Sequence, residues 1–381
     1  VDDREDILVV AHPRHEPADG NKALLLGLVQ TLPEELPSVD CRHLDLEGKD
    51  LAADAGRVLG ELGLARRARE IAHRGELRLE PRLVPVTLPP AAPALVAGGA
   101  YLISGGLGGL GALLAGALLT QHRAQLLLLG RTARGADPVK EARYQALVAA
   151  ATRAGGSLRY EVADVADAKA VEAAVARAEA SWGKKLDGAF HLAGALGQRL
   201  LAEESAASFE ATLRPKVRGG LALAEVLRRR PGALLVSFSS VNGALGGFAA
   251  GAYAAASRFQ EQHTRALQQE GALRACCLAF SLWDDLGMSA GNERRGAAEA
   301  RGLRALSADE GMGALLAALG SAPACLFVGL DARSPGIACL GVESAILPER
   351  AARSAAPLMA VVPPRTEIER RIAAIWGELL G

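Results

Sequence analysis

AYLISGGLGGLGALLAGALL, residues 100–119, decides the reading of the fold. AYLI is a short apolar run of strand character, SGGLGGLG (104–111) a tight turn, and ALLAGALL the start of a helix. In a strand–turn–helix of this kind, glycine permits the turn, lets the backbone approach a pyrophosphate and brings the helix onto the strand. Unpaired N–H groups at the helix start then face the phosphate charge. Ser104, Gly105, Gly106, Leu107, Gly108, Gly109 and Leu110 are therefore candidate cofactor-binding residues. The competing reading is a glycine-packed helix entry with no ligand.

Working outward, the pattern repeats. AYLIS, AQLLLLG, LRYEVAD, LDGAFHLAG, GALLVSFSS, RACCLAFSL and ACLFVGL alternate with Ala/Leu-rich helical stretches, which predicts parallel strands with crossover helices. Upstream, ILVVA, KALLLGLVQTL, DCRHLDL, an Ala/Arg-rich helix running to about Ala72, and LRLEPRLVPV read as a smaller α/β unit without a glycine-rich turn. TLPPAAPALVAGG (87–99) reads as a connection. ERAARSAAPLMAVVPP leads into PRTEIERRIAAIWGELLG, where Ile368, Ile372, Ile375, Trp376 and Leu379 recur at helical spacing.

Composition narrows the function classes. Forty-three basic and 43 acidic residues cancel to a net charge of zero, so no electrostatic footprint argues for nucleic acid or an anionic membrane. Cys41, Cys276, Cys277, Cys325 and Cys339 show no CxxC spacing and read as reduced core thiols of a cytoplasmic protein, with no metal site. His12, His15, His43 and His73 likewise lack ligand spacing and read as surface or packing residues. The apolar run 107–119 is too short and too punctuated to span a bilayer. VDDREDILVV carries neither the basic region nor the Met of a secretory start, which reads as a fragment of a longer chain.

After strand QLLLLG stands Arg131, where an NAD-binding fold offers an acid to the ribose hydroxyls; a cation there suits a 2′-phosphate, hence NADP over NAD, unless it is a solvated strand end. Asp164 in EVADVAD suits either the adenine amino group or a helix cap. Farther on, Ser240 ends a strand and Tyr253 lies near a helix start, so both can reach the cleft at the carboxyl ends of the strands. A carbonyl being reduced needs a proton donor at its oxygen, and a phenol serves when a nearby cation lowers its pKa from about 10.

Taken together, SGGLGGLG, HLAG (191–194), LRPKVRGGLAL, FSSVNGALGGFAAGAY and YAAAS resemble the short-chain dehydrogenase/reductase superfamily, and within it the ketoreductase domain of modular polyketide synthases. LRPKV marks the subfamily, because it supplies Lys216 from a helix before the tyrosine and no Lys follows Tyr253. The resemblance implies an α/β fold: a Rossmann-like doubly wound parallel sheet preceded by a smaller, truncated Rossmann-like structural subdomain. It implies the divisions 1–91 (structural subdomain), 92–350 (catalytic subdomain) and 351–381 (linker and start of a carrier-protein domain).

By the same resemblance Tyr253 donates the proton, Lys216 tunes the phenol and orients the ribose, Ser240 binds the carbonyl oxygen, and Ser257 stands where the family usually has an Asn that binds a relay water. Asp164, Val165, Ala193 and Gly194 line the cofactor, NADPH. Leu196, Gly197 and Leu245 border the substrate. In SLWDDLGMSAGNERRG (281–296), at the place of a lid, Trp283 and Met288 face either the acyl chain or the core. The implied substrate is a β-ketoacyl group on the phosphopantetheine of an acyl carrier protein, with neighbouring synthase domains as partners and no nucleic acid or membrane. A redox-inactive docking domain and an α-ketoacyl thioester reductase of a nonribosomal peptide module are the rivals. For stereochemistry, Leu196, Gly197 and Gln198 replace the LDD of D-type enzymes, and Leu245 replaces the Trp that often marks L-type ones; the expectation is an L-hydroxy product.

Overall fold

A computed structural model describes residues 5–11, 20–48, 50–64, 68–88, 95–271, 273–284, 286–289, 295–321 and 323–340. The tail from residue 341, and residues 89–94 of the 87–99 connection, lie outside the described residues.

The chain builds two principal sheets. The first comprises β1 (Glu5–Ala11), α1 (Gly20–Glu35), β2 (Val39–Asp45), α2 (Leu51–Leu62), β3 (Glu70–Arg74) and β4 (Leu77–Leu79), with strand order β1-β2-β3-β4. The first three strands are parallel and β4 is antiparallel. The helix expected to run to about Ala72 stops at Leu62. Asp50 caps its start by accepting from the Ala52 and Ala53 N–H groups, and Gly63 closes its end. Residues 70–74 instead form a strand, because Ile71 completes a buried cluster with Leu44 and Leu46 in register with β2. Of LRLEPRLVPV only Leu77–Leu79 is strand; Pro81 and Pro85 beyond it have no N–H for a ladder.

The second sheet takes in all seven apolar runs read as strands. They are β5 (Ala100–Ser104), β6 (Gln125–Gly130), β7 (Ser157–Val162), β8 (Gly188–His191), β9 (Leu234–Ser240), β10 (Arg274–Phe280) and, after a two-residue pair β11 (Leu282–Trp283) and β12 (Ala305–Leu306), β13 (Cys325–Val328). All seven are parallel, in the order β13-β10-β9-β8-β5-β6-β7. The crossovers are α3 (Gly109–His122), α4 (Pro138–Ala154), α5 (Ala168–Trp182), α6 (Ala206–Arg228), the one-turn α7 (Asn242–Leu245) with α8 (Gly251–Glu270), then α9 (Arg295–Ala300) and α10 (Ala308–Ser321). This is the Rossmann-like doubly wound fold. Alternation along the strands feeds two apolar layers: Tyr101, Ile103, Leu126 and Leu128 pack on the α3 side, Leu102, Leu127 and Leu129 on the α5–α6 side.

Strand order reverses between β5 and β8, so a crevice opens at their carboxyl ends. Helix α8, which carries Tyr253, is gripped from the other side by the first unit. A Cβ on Gly27 of α1 would stand 2.4 Å from the Ala255 backbone, so only glycine allows this approach. Buried Arg258 of α8 reaches both Glu70 carboxylate oxygens at 2.7 Å. Among the described residues no His/Cys/Asp/Glu group is arranged for a metal, and no helix is long and apolar enough to cross a membrane. Cys41, Cys276 and Cys277 are buried free thiols, but Cys325 is half-buried and Cys339 exposed. Of the histidines read as surface or packing residues, His43 is buried and His73 meets Glu61 at 3.1 Å; His12 and His15 lie outside the described residues.

Candidate active site

The last residue of β9, Ser240, and the first turn of α8 bring a hydroxyl and a phenol together, near enough for Ser240 to favour the ionised form of Tyr253. Ser240 Oγ also donates to Asn242 Oδ1 at 3.2 Å, and the Asn242 N–H donates back at 3.3 Å. Lys216 projects from α6 with only 2% of its surface exposed and its Nζ 5.3 Å from the Tyr253 ring centroid. Its ammonium donates to the Phe238 carbonyl and to Gln260 Oε1, both at 2.8 Å. Burial depresses the lysine to about 8 against the opposing pull of Cys277 and Glu261. Burial pushes the Tyr253 phenol above its ordinary range, and Ser240 offsets part of this. Lys216 Nζ itself is held by the Phe238 carbonyl and Gln260 Oε1 rather than by the phenol.

The glycine-rich turn lies beside this group. Gly105 takes φ +71°, and a Cβ there would stand 3.1 Å from the Ala193 backbone; one on Gly111 would stand 2.3 Å from Gly105 O. Gly108 caps α3 without any side-chain hydrogen bond, leaving the first amides of a 14-residue helix for an anion. These residues fit a dinucleotide pyrophosphate. Arg131, just past β6, is exposed and makes no ion pair among the described residues. Asp164 accepts from the Ala166 N–H at 2.9 Å and from Arg214 at 3.0 Å; partial burial raises its carboxyl, but these partners and the Arg131 charge hold it below the usual range. It is not a helix cap, since Asp167 caps α5.

The sequence profile of the KR domain matches residues 99–285. Residues 99–285 belong to the KR domain family. KR domains are nicotinamide-cofactor oxidoreductases of the short-chain dehydrogenase/reductase superfamily. Polyketide synthase ThaG of Burkholderia thailandensis is 36% identical over 241 residues, covering 60% of this chain and 4% of that protein. Erythronolide synthase EryA3 of Saccharopolyspora erythraea is 31% identical over 295 residues, covering 77% and 9%. The chain thus spans under a tenth of these curated relatives. Among solved structures, the adenylation, ketoreductase and pseudo Asub multidomain structure of a keto acid-selecting NRPS module matches at a TM-score of 0.82 and 32% identity, over 89% of this chain and 29% of that one. The ketoreductase PlmKR1 from the first module of phoslactomycin biosynthesis in Streptomyces sp. HK803 matches at 0.70 and 27%, over 83% and 73%.

Several expected site residues of the KR domain sit elsewhere. The Ser104 hydroxyl is fully buried, bonded to His191 Nδ1 at 2.8 Å and accepting from the Leu192 and Ala193 N–H groups at 3.2 Å; it ties β5 to β8 instead of facing a cofactor. The Leu107 and Val165 side chains belong to the core, so only their backbone can face the crevice. A Cβ on Gly109 would stand 2.9 Å from Gly287 N, and Leu110 packs against Gly287; the turn is overlaid by the lid segment there. Trp283 is core: its ring lies 4.9 Å from that of Phe280, tilted by 53°, and it packs against Gly311. Leu245 packs with Val241, Leu303 and Ile337.

Others converge on the crevice. Gly194 faces both Lys216 and Met288, with Cε atoms 3.4 and 3.6 Å from the position of a Cβ; Met288 is half-exposed. Leu196 is exposed, and Gly197 is needed because a Cβ would stand 2.8 Å from Thr212 Oγ1. Ser257 lies fully buried one turn after Tyr253, and neither its Oγ nor Gln260 Nε2 has a hydrogen-bond partner among the described residues. Sequence reasoning missed Gln260, Asn242 and His191. Gln260 follows Tyr253 at helical spacing on the same face of α8, and that periodicity was the available signal.

Proposed function

We propose that this KR domain is an NADPH-dependent 3-oxoacyl-(acyl carrier protein) reductase, converting a β-ketoacyl thioester on phosphopantetheine to the β-hydroxyacyl thioester. The observation that carries the reading is the meeting of the Tyr253 phenol, the Ser240 hydroxyl and the buried Lys216 beside an uncapped, glycine-entered helix. NADPH, when bound, supplies the hydride for the carbonyl carbon. Ser240 holds the carbonyl oxygen, where negative charge develops. Tyr253, kept protonated by burial, passes its proton to that oxygen, and Lys216 stabilises the phenolate that remains until solvent restores the proton. The Gly105–Gly111 backbone and the first amides of α3 hold the pyrophosphate, Arg131 the 2′-phosphate, and Asp164 the adenine. Ala193, Gly194, Leu196, Gly197 and Met288 border the nicotinamide and acyl chain.

The divisions 1–91, 92–350 and 351–381, and an acyl carrier protein with neighbouring synthase domains as partners, belong to the same proposal. Incubation with a short β-ketoacyl pantetheine thioester and NADPH, followed at the nicotinamide absorbance, tests it. Cofactor binding without turnover on any keto thioester would leave a redox-inactive docking domain.

A second reading is favoured by one observation, the match over 89% of the chain to a ketoreductase of a keto acid-selecting NRPS module. On that reading the substrate is an α-ketoacyl thioester. Parallel assays with α- and β-keto thioesters decide between them by the ratio of kcat/KM.

A further inference from the structure

Helix α1 ends on two neighbouring carboxylates, Glu34 and Glu35, with no basic residue in its last turn. The helix dipole and their mutual repulsion both disfavour acids at that end, so α1 itself does not account for them. Burial raises the Glu34 carboxyl, with Arg301 opposing. Both residues instead reach across to the KR domain. Glu35 Oε2 accepts from the Leu201 N–H at 2.6 Å and Oε1 from the Ala249 N–H at 3.1 Å.

These two amides lie on the segments that leave the carboxyl ends of β8 and β9 and flank the crevice. The segments also meet directly: the Arg199 N–H donates to Ala249 O at 3.1 Å, and Arg199 pairs with Ala250 as a parallel bridge. Ala249 holds φ +55°, a left-handed conformation that costs a residue with a Cβ. Such a conformation persists only where its surroundings impose it, and Glu35 bonds that residue's own N–H. Alongside, Glu34 pairs with both terminal nitrogens of Arg301 at 3.0 and 2.5 Å, and Arg301 donates to Leu245 O at 3.2 Å.

We propose that Glu35 is a positioning residue for the keto substrate: its carboxylate, delivered by the N-terminal unit, sets the gap between residues 196–201 and 245–250 and so the face on which the carbonyl meets Tyr253. The inference rests on the reductase reading above. Leu196 and Gly197 stand on one clamped segment and the other leads into the first turn of α8 with Tyr253, so loosening the clamp changes selectivity before chemistry.

The test uses the full chain with Glu35→Gln, which keeps one acceptor and turns an NH2 toward the other N–H, and Glu35→Ala, which removes both. Amide exchange at Leu201 and Ala249 should quicken about tenfold or more in both variants while β9 keeps its protection. The KM for the keto thioester should rise about fivefold or more with kcat changed less than about twofold, NADPH affinity should be unchanged, and the minor hydroxy enantiomer should increase. If Glu35→Ala fails to fold, Glu35→Gln alone carries the test. Unchanged exchange overturns the clamp. Faster exchange with wild-type KM and enantiomer ratio overturns the substrate role and leaves a purely structural contact. Absence of turnover in the wild type overturns the reductase reading and the substrate role with it, and the exchange data still decide the clamp.

Discussion

Lys216 Nζ stands 2.8 Å from Gln260 Oε1, so the buried ammonium of the site is held by an amide two turns beyond the tyrosine. An acceptor at that distance favours the charged lysine against its desolvation. With the lysine at about 8, its charge is present below that pH and lost above it, so reductive kcat/KM should fall as pH rises through about 8. Gln260→Leu removes the acceptor and should move the fall to lower pH; Gln260→Glu puts a carboxylate there and should move it to higher pH. A pH profile of the three proteins checks this, and a common midpoint would remove Gln260 from the lysine's environment.

Arg131 is exposed at the end of β6 and makes no ion pair among the described residues, which leaves its guanidinium for a 2′-phosphate. Arg131→Asp should raise the KM for NADPH about tenfold or more and leave that for NADH nearly unchanged. Equal effects on both cofactors would retire the 2′-phosphate role.

Much of this was legible in the chain because short-range rules decided it. Seven apolar runs separated by helical stretches became one parallel sheet, and the glycine turn stands at its topological switch point. What failed depended on tertiary context. Residues 70–74 have enough helical character to extend α2, yet Ile71 is needed against Leu44. Trp283 follows the β10 strand by three residues, and nothing local says that it turns into the core against Gly311. The Ser104 hydroxyl looks free for a phosphate until β8 supplies His191, 87 positions away in the chain.

That same His191 makes an acid-stability prediction. Burial, reinforced by the Lys216 charge, depresses it to about 3, against an ordinary value near 6.5. The folded protein therefore keeps it neutral while the unfolded chain takes up a proton below about 6.5. Its contribution is complete above that pH and lost as pH falls toward 3, which amounts to about 2 kcal/mol between pH 7 and pH 5. Denaturant melts at the two pH values should show His191→Asn less stable than wild type at pH 7 but losing less on acidification. Parallel losses in the two proteins would contradict this.

Leu196, Gly197 and Gln198 occupy the position of the D-type aspartate motif, and Leu196 is exposed at the crevice. Without that motif the pantetheine arm is freer to enter from the tyrosine side, and the hydroxyacyl product should be predominantly of the L configuration. Chiral chromatography of the reduced thioester reads this directly, and a predominantly D product would reverse the assigned entry side.

The most direct test of the central claim is the rate of NADPH oxidation by Tyr253→Phe with whichever keto thioester the wild type reduces best, measured beside the cofactor's dissociation constant. The phenylalanine ring keeps the packing over Lys216 and removes only the proton donor, so kcat should drop by about 100-fold or more while NADPH affinity stays within about twofold. A variant that kept most of its turnover would show that the proton comes from elsewhere and that the Ser240, Tyr253 and Lys216 arrangement is not the catalytic one.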